Sequence, residues 1–192
     1  MVAGLCVLLV FIGSAMGALW EYKNTPGAQA EAPLQWPAGS GLERATDRPT
    51  LVLLAHPMCP CTRASMSELR TLMSEFEGRV AAHVLFELPS GAGEDWKTSG
   101  AWATAAAIPG VRVRADTGAR ATALFGAKTS GHVVLYGQDG QLLFHGGITG
   151  ARGHVGRNEG RARLTELLRG HATAPAGAPV FGCALEAPEE AP

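Results

Sequence analysis

Residues 49–76, PTLVLLAHPMCPCTRASMSELRTLMSEF, decide how the whole chain is read. Thr50 to Ala55 is a short apolar run between Pro49 and Pro57, which suits a strand covered on both faces and is too brief for a buried helix. From Thr62 to Phe76, apolar or small residues recur at Ala64, Met66, Leu69, Leu72, Met73 and Phe76, close to the helical period, and Gly78 ends the pattern. Between strand and helix lies His56-Pro57-Met58-Cys59-Pro60-Cys61: two thiols, one proline between them, at a βα junction.

Working outward, Val80 to Leu88 predicts a second strand and Asp95 to Ala107 a second helix, with Trp96 and Trp102 on its core face. Val111 to Ala115 is a weaker third strand, followed by a helical stretch from Ala119 to Phe125. Val133 to Tyr136 and Leu142 to Phe144 flank Gly137-Gln138-Asp139-Gly140, the signature of an antiparallel hairpin. A helix from Glu159 to Arg169 closes the pattern. This order predicts an α/β domain: a mixed central sheet flanked by helices, over residues 49–170.

Upstream, Val2 to Trp20 holds no charged side chain, and as a helix these 19 residues would span about 28 Å, near the hydrocarbon thickness of a bilayer. Residues 1–22 are therefore a membrane segment. Trp20 and Tyr22 stand where an aromatic belt belongs and favour a retained anchor. A cleavable signal is the rival, since Ala15-Met16-Gly17 has the small-x-small form, although no Lys or Arg precedes the run. Cys6 is an apolar filler within it. Residues 23–48 carry Pro, Gly and Ala without periodicity and read as a linker; residues 171–192 form a tail carrying Cys183. The formal net charge of −1 and the absence of any basic cluster exclude a nucleic-acid partner.

The run LVLLAHPMCPC before a helix, and far downstream FGAKTSGHVVLYGQDGQLLFHGG, resemble the thioredoxin fold, most closely membrane-tethered thioredoxin-like (redoxin) proteins of bacteria. GGITGARGHVGRNEGR and VFGC are similar to a little-characterised branch of that group. The resemblance implies thiol–disulfide exchange with protein partners at a bacterial inner membrane, with one spanning helix inserted in the bilayer and the domain in the periplasm. It also exposes departures. Laying Cys61 on the second cysteine of the family's Cys-Gly-Pro-Cys puts Met58 in the place of the attacking cysteine and Cys59 in that of the glycine. Gly131 stands where the family has a cis-proline, and no acid interrupts LVLLA. The residues three and seven before Cys59 are His56 and Val52, so the peroxiredoxin pattern is absent.

A cysteine at a helix N-terminus meets unpaired backbone N–H groups and the positive end of the helix dipole, which stabilise the thiolate. His56 and Arg63 can add positive charge. Cys59, nearer the strand end, is the expected nucleophile, with Cys61 as its resolving partner. Two extended residues span about 6.6 Å, at the upper edge of disulfide Cα separations, so a Cys59–Cys61 ring is tight. A tail folding back would let Cys183 resolve instead. His56, Met58, Cys59 and Cys61 also form a soft donor set suited to Cu(I), which would make the chain a copper assembly factor; a third class is a thioredoxin-fold interaction module without turnover. The exit loop of the last hairpin strand, Gly146 to Gly160, should lie at the thiol end. Arg152, His154, Arg157 and Asn158 are then candidates for binding a polar or anionic partner, the alternative being a solvated loop. Ser130, Gly131 and His132 border the thiols in any chain of this fold: the missing proline either opens room for a ligand or makes a plain tight turn.

Overall fold

The computed structural model describes residues 2–28, 31–89, 91, 92, 96, 99–171 and 176–185. Strand β1 (Thr50–Ala55) is buried along its whole length, as an uninterrupted apolar run requires. It pairs in parallel with β2 (Ala81–Leu88), reached through helix α2 (Thr62–Glu75). β2 pairs in parallel with β3 (Val111–Thr117), reached through the short α3 (Gly100–Ala106). After α4 (Arg120–Leu124) the chain enters β4 (His132–Tyr136), antiparallel to β1, and returns in β5 (Leu142–Gly147), antiparallel to β4. Helix α5 (Glu159–Leu168) follows, and β6 (Ala176–Ala178) adds in parallel to the β5 edge. The sheet order is β3-β2-β1-β4-β5-β6. A parallel βαβ unit joined to an antiparallel ββα unit, with β1 and β4 side by side, is the thioredoxin-like arrangement that the sequence predicts.

Strand alternation sends Leu51, Leu53 and Ala55 to one face, where Met66, Leu69 and Leu72 of α2 and Leu164 of α5 cover them. Val52 and Leu54 face the other side, covered by Ala121 and Phe125 from α4 and its end. The expected linker contributes there as well. Trp36 stands edge-on to Phe125 and Tyr136, with ring centroids 5.4 and 5.3 Å away, and Leu42 is buried in the same cluster. Backbone bonds from Trp36 N to Gly140 O (2.8 Å) and from Leu142 N to Leu34 O (2.9 Å) fasten the segment to the hairpin. It is an extended strap whose contacts are dictated by the surface beneath, so it shows no period of its own.

Other boundaries differ from the sequence reading. α3 starts at Gly100, because the Ser99 hydroxyl caps it by accepting from Trp102 N; the expected start at Asp95 lies outside the described residues. Trp96 precedes the helix and packs edge-on to His56, at 5.6 Å between centroids, while Trp102 stacks on Phe86. β3 runs on to Thr117 and β5 to Gly147, and β6 has no counterpart in the expected pattern.

Helix α1 (Val2–Asn24) is long and apolar enough to cross a membrane, by length and composition; a signal sequence meets the same test.

Candidate functional site

β1 ends at Ala55, and the chain must turn sharply before α2 can begin. His56 N–H donates to Ser130 Oγ (2.9 Å), while the His56 carbonyl accepts from Cys59 N (3.2 Å) and Thr62 Oγ1 (3.0 Å). Thr62 Oγ1 also lies 3.1 Å from Ser130 Oγ, so one threonine and one serine hold the βα turn against the start of β4. Pro60 is exposed in the turn, and Cys61 is the N-cap of α2. Its side chain makes no capping bond. Thr62 N–H donates to the Cys59 carbonyl (3.1 Å), and the N–H groups of Cys61 and Thr62 also lower the pKa of the Cys59 sulfur.

The partner of Cys59 comes from 124 residues away: Cys183 Sγ lies 2.8 Å from Cys59 Sγ. The tail reaches this point by leaving β6 across Gly147, where a Cβ would sit 2.5 Å from the Pro179 carbonyl oxygen. It then pairs with the 128–130 turn through Ser130 N to Cys183 O (2.8 Å), a Thr129–Ala184 bridge and Leu185 N to Lys128 O (3.0 Å). A Cβ on Gly182 would run into the Ser130 carbonyl oxygen, so only glycine admits this approach.

Burial pushes the Cys59 thiol up, but the bond donated by the Cys183 thiol and the N–H groups of Cys183, Cys61 and Thr62 outweigh it, and its pKa falls below the usual 9.0. Cys183 moves the other way: burial, its bond to Cys59 and the charges of Cys59 and Cys61 push it up to about 12, with Arg152 partly offsetting them. Cys61 is raised by burial and then by Cys59, and Arg152 and the Gly153 N–H act against that rise. The arrangement favours the thiolate at one sulfur and faces it with a second whose proton is held more tightly. Cys59 and Cys61 are only 5% and 8% exposed, so access is through the immediate mouth of the site.

The other expected residues divide. Ser130 is central to the turn. Gly131 has φ +92°, and a Cβ there would meet Ser65 Oγ at 2.8 Å, so Ser65 already occupies the room that the missing proline was expected to open. Among the described residues no peptide bond is cis. His132 is buried with no partner on either ring nitrogen; burial, then the neighbouring His145, lowers its pKa to about 3. Arg63 and Met58 are exposed at the rim. The exit loop does lie at the thiol end, through Arg152 and Gly153. Asn158 is buried and serves as the N-cap of α5, accepting from Arg161 N at 2.8 Å. His154 and Arg157 are exposed on the same loop.

The expected Cu(I) donors other than the thiols are His56 and Met58. His56 Nδ1 accepts from Met58 N (3.2 Å) and its ring faces Trp96, while the Met58 side chain is 64% exposed. Among the described residues, no group of three or more His, Cys, Asp or Glu is arranged to hold a metal. Three supports of the site have no distinct signal in the sequence: Thr62, the Gly153 N–H and Gly182. The pair Gly182-Cys183 is the single hint, a small residue directly before a thiol.

No protein-family model matches the chain, and no curated protein matches its sequence. Solved structures match in fold. A hypothetical protein of Sinorhizobium meliloti 1021 aligns with a TM-score of 0.58 and 18% identity, over 83% of this chain and 93% of that one. An uncharacterized conserved protein of Geobacillus kaustophilus aligns with a TM-score of 0.60 and 16% identity, over 88% and 95%. A weaker likeness, TM-score 0.48 at 13% identity over 65% and 86%, is to an exposed lipoprotein thioredoxin of Streptococcus pneumoniae. Strand order, the crossing of β1 by antiparallel β4 and the cysteines at the first βα junction make this a thioredoxin-like fold.

Proposed function

We propose that the chain is a thiol–disulfide oxidoreductase of a membrane-tethered thioredoxin-like branch, held by α1 in a bacterial inner membrane and acting on protein thiols or disulfides outside the cytoplasm. The working unit is the domain of residues 49–170 together with the tail that carries Cys183. One observation carries the reading: the sulfurs of Cys59 and Cys183 lie 2.8 Å apart, one favoured as thiolate and the other as thiol.

The exchange balances as follows. The Cys59 thiolate attacks one sulfur of a partner disulfide, forming a mixed disulfide and expelling the partner's other sulfur as a thiolate, which takes up a proton. Capping Cys59 removes the negative charge that held the Cys183 proton in place. Cys183 then attacks Cys59 Sγ, closing Cys59–Cys183 and releasing the partner's second sulfur, which leaves as the thiol with the proton that Cys183 gives up. The protein loses two electrons and the partner gains two; the reverse sequence oxidises a partner dithiol. Cys61 contributes its backbone N–H to the Cys59 anion, and its thiol stands by as the alternative resolver.

The test is alkylation mass spectrometry of the full chain before and after reduction. A Cys59–Cys183 linkage in the oxidised sample and preferential alkylation of Cys59 in the reduced one are expected. A Cys59 that stays free and unreactive in every sample overturns the reading.

A further inference from the structure

The membrane helix and the thiol site meet on one residue. Arg152 N–H donates to the Lys23 carbonyl (3.0 Å), Arg152 Nε donates to the Tyr22 carbonyl (3.0 Å), and the guanidinium lies over the Tyr22 ring, 4.7 Å from its centroid. Nη1 of the same group donates to the carbonyl of Gly182, the residue before Cys183. Its charge acts on Cys61 and Cys183, and the adjacent Gly153 N–H reaches Cys61. Gly27 N–H adds a bond to the Val180 carbonyl of the tail, at 2.8 Å. The last turn of α1, the loop after β5 and the tail beside Cys59 are therefore joined without slack.

That junction fixes the height of the site above a bilayer. Trp20 and Tyr22 are 71% and 60% exposed at the end of α1, where Arg152 is the contact on the Tyr22 ring, the position of interfacial aromatics on a spanning helix. A free linker of the 26 residues 23–48 would let the domain roam over about 28 Å. Clamped at Tyr22 and Lys23, the thiols stay near the headgroup layer. Met58, next to Cys59 in the chain, puts an exposed apolar side chain there, 64% exposed.

We propose that this site exchanges disulfides with cysteines that another membrane-inserted protein presents at the same bilayer interface. The inference rests on the exchange reading and on α1 being retained as the anchor. A soluble domain of 100 residues already has a radius of gyration of about 13 Å, which keeps most of its thiols away from a site at headgroup height. A membrane-inserted partner carries its cysteines at the required height, and confinement to one surface raises their effective concentration.

The test uses the full chain in phospholipid vesicles. In the first measurement the reduced wild-type protein meets, in single turnover, a membrane-spanning peptide with a disulfide beside its interfacial Trp. The comparisons are the same peptide with the disulfide on a polar spacer of about 20 residues, and a water-soluble peptide with the same disulfide. The interfacial disulfide should be reduced at least about tenfold faster than either comparison. Equal or faster reaction of the spaced or soluble peptide overturns the inference and leaves the exchange reading standing. Reduction of none of the three counts against the exchange reading, and the second measurement then decides the site's height without any turnover. There, a fluorophore is placed on Met58→Cys beside position 59 or on Glu77→Cys beyond the far end of α2, each in a chain with the native cysteines replaced by serine. Quenching by nitroxide-headgroup lipid should be stronger at position 58 by about twofold or more, since the two positions flank a helix some 20 Å long. Equal quenching at the two positions overturns the proposal.

Discussion

Cys59 has two cysteine neighbours, and they serve it differently. Cys61, two residues on, is the N-cap of α2 and gives Cys59 a backbone N–H, while its own sulfur interacts with that of Cys59 and, more weakly, with Arg152 and the Gly153 N–H. Cys183, 124 residues on, brings its sulfur to 2.8 Å. Nearness along the chain supplies the smaller part of the thiolate's stabilisation, through the N–H groups of Cys61 and Thr62, and the distant Cys183 supplies the larger part. Nearness in space supplies a partner sulfur, and it needs a whole tail laid across β5 and the 128–130 turn to do so.

Cysteine replacement has the largest expected effect. Cys59→Ser should abolish disulfide reduction. Cys183→Ser should allow the first attack and block resolution, so mixed disulfides accumulate on non-reducing gels and turnover drops by about a hundredfold, whereas Cys61→Ser should cost only about threefold. The opposite ranking of the two variants would return the resolving role to Cys61.

Next comes the seat of the tail. Gly182→Val puts a side chain into the Ser130 carbonyl, and overpacking of this kind costs about 1–3 kcal/mol. Turnover should fall with the population of seated tail. Because the Cys183 bonds are lost with it, the pH midpoint of Cys59 alkylation should rise as well.

The pH profile sharpens the comparison further. Hydrogen bonds to the Cys59 anion favour its charged form, so its alkylation midpoint should lie below 9.0, and Cys183→Ala should move it upward. Cys183, raised to about 12, keeps its proton in the folded chain while the unfolded chain releases it from pH 9 upward. The folded state then holds more protons between pH 9 and 12, and stability from this group falls as pH rises across that window. Denaturation midpoints of wild type against Cys183→Ala, across that range, measure it.

The smallest effect belongs to the other helix start. α2 begins on Cys61 without a side-chain cap, its Thr62 N–H going to the Cys59 carbonyl, while α5 begins on Asn158 with one. Asn158→Ala should cost about 1 kcal/mol of stability and leave the exchange rate unchanged. A large loss of exchange would instead restore Asn158 to the partner-binding role its loop suggests.

Much of this site is legible in the chain. The apolar run of β1, the helical period of α2 and the proline-bracketed turn between them are local patterns, and they place Cys59 and Cys61 at a βα junction without reference to the rest of the molecule. The hairpin around Gly137-Gln138-Asp139-Gly140 is local too, and it sends the next loop, with Arg152, back to the thiol end. Trp36, Ala176 and Gly182 carry no such pattern. Trp36 matters because Phe125 and Tyr136 leave an edge for it, β6 because β5 has a free edge that small residues can approach, and Gly182 because the Ser130 carbonyl leaves no room for a Cβ.

The sequence by itself determined the mixed α/β sheet, the cysteine pair at its first βα junction and the apolar helix ahead of it, because hydrophobic periodicity and turn chemistry act over a few residues. Tertiary structure alone decided that Cys183 faces Cys59, that Arg152 ties the helix end to the tail, and which sulfur becomes the anion. Those outcomes depend on hydrogen bonds and burial supplied by segments more than a hundred residues apart, and the order of residues does not encode such distances locally.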